Sequence, residues 1–490
     1  MPEKTNYKKL KMKAGLEIHQ QLGTRRKLFC GCSTAMAERE PVMEIQRKLH
    51  PVASELGEVD VAVQFEYLRD RVFNYQVFHG ETCLVETDDE PPHELNQEAL
   101  RIALQIALLL NCEIPNEIHV MRKTVIDGSN TSGFQRTAIV GLNGYLKYKG
   151  KGVEITHVAL EEDAAAIVEQ KDGGVVYRLN RLGVPLVEIG TGILSGFEPE
   201  EVQEIAYLIG IVCRSTKRVK HGIGSIRQDI NVSIMNGPRV EIKGVQDLGM
   251  IAKIVEKEAE RQLALGSKRK HETRSVNIDG STYYTRPLPG AARMYPETDI
   301  KPVALTNESL KEIKSALPEP FTNKLARFQS RLKLSKDLAI QVLSSDYLEL
   351  FEKIASGVRG VDATVVANTF VSTLKDLKKR KNVATETLGD RHFAELFQKL
   401  AKRQIVKEAI PDIIEHIAKK PTASVLQAIE ELNLGMMGKP ELREVVSQIA
   451  KDAPELDREK IYGIVMGQVR GRADPQEVMK IVKKLVKKKK

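Results

Sequence analysis

Tryptophan is absent from this 490-residue chain, and aromatic residues make up only 5% of it. Stacking platforms of the kind that grip single-stranded nucleic acid are therefore not its main resource. No apolar run approaches the roughly 20 residues that span a bilayer. Residues 1–9 lack the apolar core of a signal peptide. A cytoplasmic protein without membrane association is expected. Cysteine is sparse and odd in number: Cys30, Cys32, Cys83, Cys112 and Cys213. That set excludes a disulfide framework. Cys30-Gly31-Cys32 offers two ligands for Zn2+, with Cys83 or His79 to complete a site, but the second half of the usual zinc pattern is missing. Reduced structural thiols are the expected reading. A glycine-rich phosphate loop of the Walker type is also lacking, so any nucleotide would have to be held by other means.

The chain carries a formal charge of +9 and a sequence pI near 9.0. A polyanionic partner and a lysine-rich solvated surface both account for that balance. The length suggests two to four domains. Up to about residue 305 the chain is glycine-rich, with short β-like runs. Beyond it, helical periodicity in Lys, Glu, Leu, Ile and Ala takes over. Asn96 is placed to cap a helix through Leu100, Ile102, Leu104, Ile106 and Leu108, apolar on nearly every face and so buried. Segments 153–160, 184–190, 225–234 and 239–245 read as strands. In 225–234 one face carries Ile226, Ile230, Val232 and Ile234, interrupted by Gln228, and the other carries Arg227, Asp229, Asn231 and Ser233. Asn236-Gly237 signals a hairpin into a strand where Glu241 and Lys243 alternate with Val240 and Ile242. Thr306 and Asn307 are plausible caps for the first helix of the second part. Asp474, Pro475 and Glu477 mark the start of the last helix, whose C-terminal end is crowded by lysines up to Lys490.

The chemistry begins at Gly15-Leu16-Glu17-Ile18-His19. In a strand Leu16 and Ile18 point into a core, while Glu17 and His19 share the opposite face. An exposed strand face often carries such residues, but three acidic motifs accompany this one. Glu161-Glu162-Asp163 follows an apolar run, Glu188 sits within Val184-Pro185-Leu186-Val187-Glu188-Ile189, and Glu297 within Met294-Tyr295-Pro296-Glu297-Thr298-Asp299. Adjacent carboxylates repel unless exposed or bridged by a cation, and a charge within an apolar run needs a partner. Several such residues near one histidine make a magnesium site plausible.

In their order these motifs resemble the B/E subunits of tRNA-dependent amidotransferases. The resemblance rests on Gly15-Leu16-Glu17-Ile18-His19, Arg122-Lys123, Glu161-Glu162-Asp163, Leu179-Asn180-Arg181, Pro185-Leu186-Val187-Glu188-Ile189 and Gly224-Ser225-Ile226-Arg227 with Asp229 and Asn231. Gly463-Ile464-Val465-Met466-Gly467-Gln468-Val469 resembles the family's tail domain. Residues 126–137 and 286–299 are similar to the archaeal E-type chain, with the bacterial and organellar B-type chain as the alternative within the family. One departure stands out. Archaeal E-type chains usually carry an inserted domain related to aspartyl-tRNA synthetases before the Arg-Pro-Leu-Pro-Gly motif, and here only residues 266–285 or so occupy that place.

The resemblance implies an α+β fold: a large mixed α/β cradle domain (1–305), an all-helical domain (306–430) and a small helical tail domain (431–490) that binds tRNA. It implies that the chain uses ATP and Mg2+ to phosphorylate the γ-carboxylate of glutamate carried on tRNA(Gln). Ammonia from an asparaginase-like D subunit in a hetero-oligomer would then displace the phosphate. Family matching assigns magnesium to Glu17, His19, Glu162 and Glu188; motif and charge make Arg122, Lys123, Arg227 and Lys243 the candidates for phosphate neutralisation, with Lys123, Arg227 and Lys243 as catalytic residues and Arg122, Lys123, Asp229 and Asn231 as nucleotide contacts. A non-catalytic tRNA-binding scaffold explains the basic tail but not the converging carboxylates. A metal-dependent phosphoester hydrolase explains the metal site but not the tail.

Overall fold

The computed structural model describes residues 5–36, 39–51, 57, 59–171, 173–222, 224–288, 290 and 294–486. The terminal lysines 487–490, and residues 289 and 291–293 of the second archaeal-type motif, lie outside these. The fold is α+β, with strands confined to the first part and helices filling the second.

In chain order the strands are β1 (Lys13–Gln21), β2 (Met43–Arg47), β3 (Val72–Val77), β4 (Glu117–Ile118), β5 (Val120–Thr124), β6 (Phe134–Tyr148), β7 (Lys151–Glu162), β8 (Ala166–Lys171) and β9 (Gly174–Arg178). They continue as β10 (Pro185–Thr191), β11 (Leu194–Ser195), β12 (Ile226–Ser233), β13 (Val240–Val245), β14 (Glu272–Val276), β15 (Thr282–Pro287), β16 (Met294–Pro296) and β17 (Val303–Ala304). Eleven form one sheet in the order β15-β14-β13-β12-β1-β10-β7-β6-β5-β16, with β11 also paired to β1. Among the described residues, only the β13–β14 pairing in this sheet is parallel. The expected strands thus appear, and β1 lies near the middle.

One face of this sheet is apolar and covered. Ala14, Leu16 and Ile18 of β1 and Ile230 and Val232 of β12 are buried. The short helix α1 (Val61–Tyr67) lies against β15; against the apolar face pack the helices α2 (Gln97–Leu109), α3 (Pro199–Ser215) and α4 (Ile251–Leu265), whose own buried residues join the same core. Asn96 caps α2 by accepting from the Glu98 and Ala99 amides at 2.9 and 3.1 Å. Its Nδ2 donates to the Arg26 and Lys27 carbonyls. The other face carries the polar members of the same strands.

A smaller sheet, β2-β3-β9-β8, has its own core around Phe73, Tyr75, Val175 and Tyr177. Its two buried tyrosines reach out of it. Tyr75 donates to the Gly128 carbonyl at 2.8 Å and Tyr177 to the Asp127 carbonyl at 2.9 Å. They hold the 127–130 loop in place.

Two local expectations change. The β12–β13 turn centres on Met235 and Asn236, both left-handed (φ 54° and 53°), rather than on Asn236-Gly237. Pro238 biases the residue before it toward extended backbone, which keeps Gly237 out of a left-handed position. The chain also divides into compact units at Met1–Pro320 and Phe321–Lys490. The helix after residue 305, capped by Thr306 as expected, places Ile313 in the first core and so belongs to the first unit. The stretch at residues 272–287, where the resemblance expects an insert, is closed. There β14 and β15 pair as a hairpin whose turn uses Gly280 at φ 85°.

The second unit is helical. Its last three helices, Lys439–Asp452, Arg458–Val469 and Pro475–Leu485, enclose a core of their own around Val446, Val465, Val478 and Val482. Asp474 caps the last by accepting from the Gln476 amide at 2.7 Å. Among the described residues no helix is long and apolar enough to cross a membrane.

Asn96→Ala removes the cap of α2 and two tethers to residues 26–27. A loss of about 1–2 kcal/mol is expected, read as a lower urea midpoint of the first unfolding transition.

Candidate active site

Antiparallel register aligns the polar face of the large sheet. Glu17 sits opposite Asp229 of β12 and Gly190 of β10, and His19 opposite Arg227 and Glu188. One strand over, Glu161 lies opposite Leu186 of β10 and Thr137 of β6. Of these, Glu17, His19, Glu188, Arg227 and Asp229 line a cleft of about 280 Å³, and Glu161, on the same face of the sheet, lies beneath them. Lys123, Gln135, Lys243 and Arg286 line the cleft, and so do Asp127, Ser129 and Asn130 of the loop held by the two tyrosines.

Two groups of acidic ligand atoms stand side by side in the floor, each spanned by a lysine. In the first, donor atoms of His19, Glu161 and Glu188 lie within 4.8 Å of one another. Lys123 Nζ is 3.1 Å from Glu161 and 3.2 Å from Glu188. His19 Nε2 and His157 Nε2 contact opposite oxygens of Glu188 at 3.2 and 3.0 Å. Burial pushes the Glu188 carboxyl up, but Lys123 and the two imidazoles outweigh it and hold it well below the usual carboxylate range. His19 Nδ1 is buried without a hydrogen-bond partner among the described residues.

The second group is Glu17, Asp229 and Glu241, again within 4.8 Å. Lys243 Nζ is 2.7 Å from Asp229 and 3.0 Å from Glu241. Burial raises the Asp229 carboxyl less than Lys243, His19 and the Gly244 amide lower it, and it falls to about 2. Glu17 goes the other way: burial dominates, only partly relieved by Lys243, and Glu188, Glu241 and Asp229 add to it. Arg227 is held by Asp163, whose carboxylate also takes the Gln21 amide.

Alternation along the strands separates two expected site residues from the rest. Consecutive strand residues face opposite ways, so Glu161 faces the cleft and Glu162 the other side. There Glu162 pairs with Arg136 Nη1 at 3.4 Å and accepts from the Arg136 amide. Lys123 and Arg122 part in the same way. Arg122 pairs with Glu297 at 2.5 Å and Asp299 at 3.1 Å, stacked over the Phe134 ring. Arg136 joins Glu297 at 2.8 Å, making one buried ion-pair chain behind the cleft. Glu162 and Arg122 therefore do not line the cleft, and Glu161 occupies the place expected of Glu162. Val158 and Leu160, both fully buried, lie in phase with Glu162 and carry the signal for this in the sequence. Glu17, His19, Glu188, Lys123, Arg227, Asp229 and Lys243 line the cleft together. Asn231 stands beside it, with Nδ2 3.3 Å from Glu17. His157 is an addition that the sequence motifs do not contain; its only signal is its place on the polar side of β7.

Residues 12–311 match the family described as GatB/GatE catalytic domain. The chain belongs to the GatB/GatE family. Residues 349–486 match a further family, described as GatB domain. The chain is 35% identical to the E chain of glutamyl-tRNA(Gln) amidotransferase from Methanocaldococcus jannaschii over 627 aligned positions, covering 98% of this chain and 99% of the relative. It is 35% identical to the counterpart from Natronomonas pharaonis, covering 99% of each. To that from Thermococcus sibiricus it is 34% identical, covering 98% of each. The resemblance to the archaeal E-type chain thus stands. An alignment of 627 positions exceeds this chain's own length, so the first relative carries segments this GatB/GatE chain lacks.

Away from the cleft, Cys30, Cys32, Cys83 and Glu86 offer donor atoms within 4.8 Å of one another. Cys83 and Glu86, not His79, complete the group. The Cys30 thiol donates to Glu86 at 2.8 Å, and Lys27 Nζ, fully buried, is 3.3 Å from the same carboxylate. Hydrogen bonds from Cys30 and Cys32 hold the Cys83 thiol well below its usual range.

Arg136→Met strands Glu162 as a buried charge and leaves Glu297 with Arg122 as its remaining cation. A loss of about 3–5 kcal/mol is expected, measured by chemical denaturation, with no change in the residues lining the cleft.

Proposed function

We propose that this chain converts glutamyl-tRNA(Gln) to glutaminyl-tRNA(Gln) in two steps on the cleft floor. The observation that carries the reading is the pair of acidic groups on adjacent strands, each spanned by a lysine and flanked by Arg227, in a GatB/GatE chain. In the first step a γ-carboxylate oxygen of the tRNA-bound glutamate attacks the γ-phosphorus of ATP, and the bond to the β,γ-bridging oxygen breaks. An acyl phosphate and ADP result. In the second, ammonia adds to the acyl carbon and phosphate leaves. A carboxylate is a poor electrophile until its oxygen becomes part of a leaving group, and phosphoryl transfer needs positioned positive charge more than covalent help.

Lys123, Arg227 and Lys243 supply that charge. Lys123 and Lys243 already neutralise carboxylates of the floor, and Arg227, held by Asp163, lines the same cleft, so each can shift toward phosphate oxygens without crossing it. Glu188, Glu161 and His19 are the ligands we assign to magnesium, with Glu17 and Asp229 beside them. The carboxylate oxygens of that set fit a hard cation kept partly hydrated, with His19 as its one nitrogen donor. When bound, magnesium would neutralise triphosphate charge. The Glu188 carboxylate, held ionised, keeps the ligand set charged at neutral pH.

The same reading places the chain in a cytoplasmic hetero-oligomer with an asparaginase-like D subunit that releases ammonia from glutamine. The Cys30, Cys32, Cys83 and Glu86 group is assigned to structural zinc. Three sulfur donors and one carboxylate suit tetrahedral Zn2+. The last three helices are assigned to the tRNA body, through exposed Arg470, Lys480, Lys483 and Lys484.

Purified full chain with Glu-tRNA(Gln), ATP, magnesium and ammonium chloride should form Gln-tRNA(Gln) without a glutaminase partner. Folded Glu188→Gln should lose the activity by at least about 100-fold, since an amide cannot replace a carboxylate ligand to a hard cation. Full activity of that variant would refute the metal assignment, and an absolute need for the partner would refute independent activation. Replacing Arg470, Lys480, Lys483 and Lys484 together by alanine should raise the KM for Glu-tRNA(Gln) and flatten the salt dependence of tRNA binding, because fewer counterions are released. An unchanged salt slope would move tRNA recognition elsewhere.

A further inference from the structure

At one point β7 carries a residue more than its partner β10. Gly190 faces His157 and the next pair is Thr191 with Ile155, so Thr156 is the extra residue of a bulge. Its effect is on phase. Val153 and Ile155 are buried in the core, and strict alternation would send His157 after them. With Thr156 inserted, Val158 and Leu160 take the core side and His157 joins Glu161 on the polar face. A recess of about 480 Å³ lies at the bulge, beside the cleft, with Glu17, Thr156, His157, Gly190 and Thr191 in its lining. From this recess His157 reaches Glu188.

The imidazole is fixed at both nitrogens. Nε2 is 3.0 Å from Glu188 Oε1, and because an ionised carboxylate only accepts, Nε2 is the donor. Nδ1 is 3.0 Å from Thr156 Oγ1, which is itself 3.1 Å from the Gly190 carbonyl. Gly190 leaves the ring its room, since a Cβ there would stand 2.4 Å from His157 Cε1. The two oxygens of Glu188 are thereby divided. Oε1 is taken by His157, while Oε2 faces the cleft, 3.2 Å from both His19 Nε2 and Lys123 Nζ. Glu161, the other carboxylate of this group, is fixed as well, by Thr137 at Oε1 and Gln135 at Oε2. A carboxylate held as Glu188 is offers a cation one oxygen, not two. Mg2+ demands near-ideal octahedral geometry, whereas Ca2+ takes more ligands and accepts both oxygens of one carboxylate.

We propose that His157 is a positioning residue that confines Glu188 to single-oxygen ligation and so sets the site's preference for a small octahedral cation over Ca2+. The inference rests on the magnesium assignment above. Its test is metal binding to the full chain without nucleotide or tRNA, followed by electron paramagnetic resonance of Mn2+ with Mg2+ and Ca2+ as competitors. In the wild type Mn2+ should occupy a site that Glu188→Gln abolishes, and Mg2+ should displace it at lower concentration than Ca2+. His157→Ala should weaken Mn2+ binding by about tenfold, within the range that hydrogen-bond partners of metal ligands contribute. It should also shrink the advantage of Mg2+ over Ca2+ by about the same factor, because Glu188 is then free to chelate with both oxygens. His157→Gln, whose amide can donate to the same oxygen, should restore both. A purely structural role would lower stability and leave the Mg2+ to Ca2+ ratio alone. Where His157→Ala does not fold, Thr156→Val takes the hydroxyl from Nδ1, keeps the ring and is read in the same way. An unchanged ratio in a folded variant that retains the Glu188-dependent site overturns the proposal and leaves the metal assignment standing. A wild type with no Glu188-dependent Mn2+ site overturns both.

Discussion

The register of β1 against its two neighbours is the constraint on which the cleft depends. A slip by one residue would turn Glu17 and His19 into the core and bring Leu16 and Ile18 to the surface. It would also separate His19 from Glu188 and Glu17 from Asp229, pairs that come from strands about 170 and 210 residues further along the chain. The apolar half of each strand prevents that slip. Leu16, Ile18, Ile189, Ile230 and Val232 are each fully or almost fully buried beneath α2, α3 and α4. Chemistry on one face is thus held in place by hydrophobic burial on the other.

Such a floor concentrates negative charge, which must be balanced before any substrate arrives. Lys123 and Lys243 do this locally, each spanning two carboxylates. Arg227 is different, because Asp163 holds it from outside both acidic groups. The three consecutive carboxylates at 161–163 therefore meet three different cations: Glu161 meets Lys123 in the cleft, Glu162 meets Arg136 behind it, and Asp163 meets Arg227 at its edge. The mutual repulsion expected of adjacent carboxylates is relieved by sending each to its own partner, not by one shared cation.

Much of this is legible in the sequence, and the reasons are local. The strand carrying Glu17 and His19, the strand and hairpin carrying Arg227, Asp229 and Lys243, and the Asn96 and Asp474 caps all follow from period-two alternation or cap chemistry within a few residues. What fails also has a local cause. Assigning Glu162 and Arg122 to the cleft takes a motif as a unit and ignores that its neighbours alternate. Carrying the phase back from buried Val158 and Leu160 corrects Glu162. Two features cannot be read locally at all. The grouping of Glu86 with Cys30, Cys32 and Cys83 depends on a loop returning to residues more than fifty positions earlier. The recess lined by Glu17, Gly190 and Thr191 lies where the β10–β7 pairing shifts register, with Thr156 of β7 the extra residue, which no composition signals.

The closed hairpin at residues 272–287 completes the cleft's outer wall. β14 pairs in parallel with β13, the strand that carries Glu241 and Lys243, and Thr273 donates to Glu241 at 3.0 Å. β15 pairs back on β14 and delivers Arg286 to the cleft lining. The hairpin therefore fixes the second acidic group from behind and adds a cation to its front. A domain inserted between these strands would leave both contacts intact so long as it entered and left at the turn around Gly280. The cleft of this chain is thus walled by the hairpin itself, and its floor needs nothing further from residues 272–287.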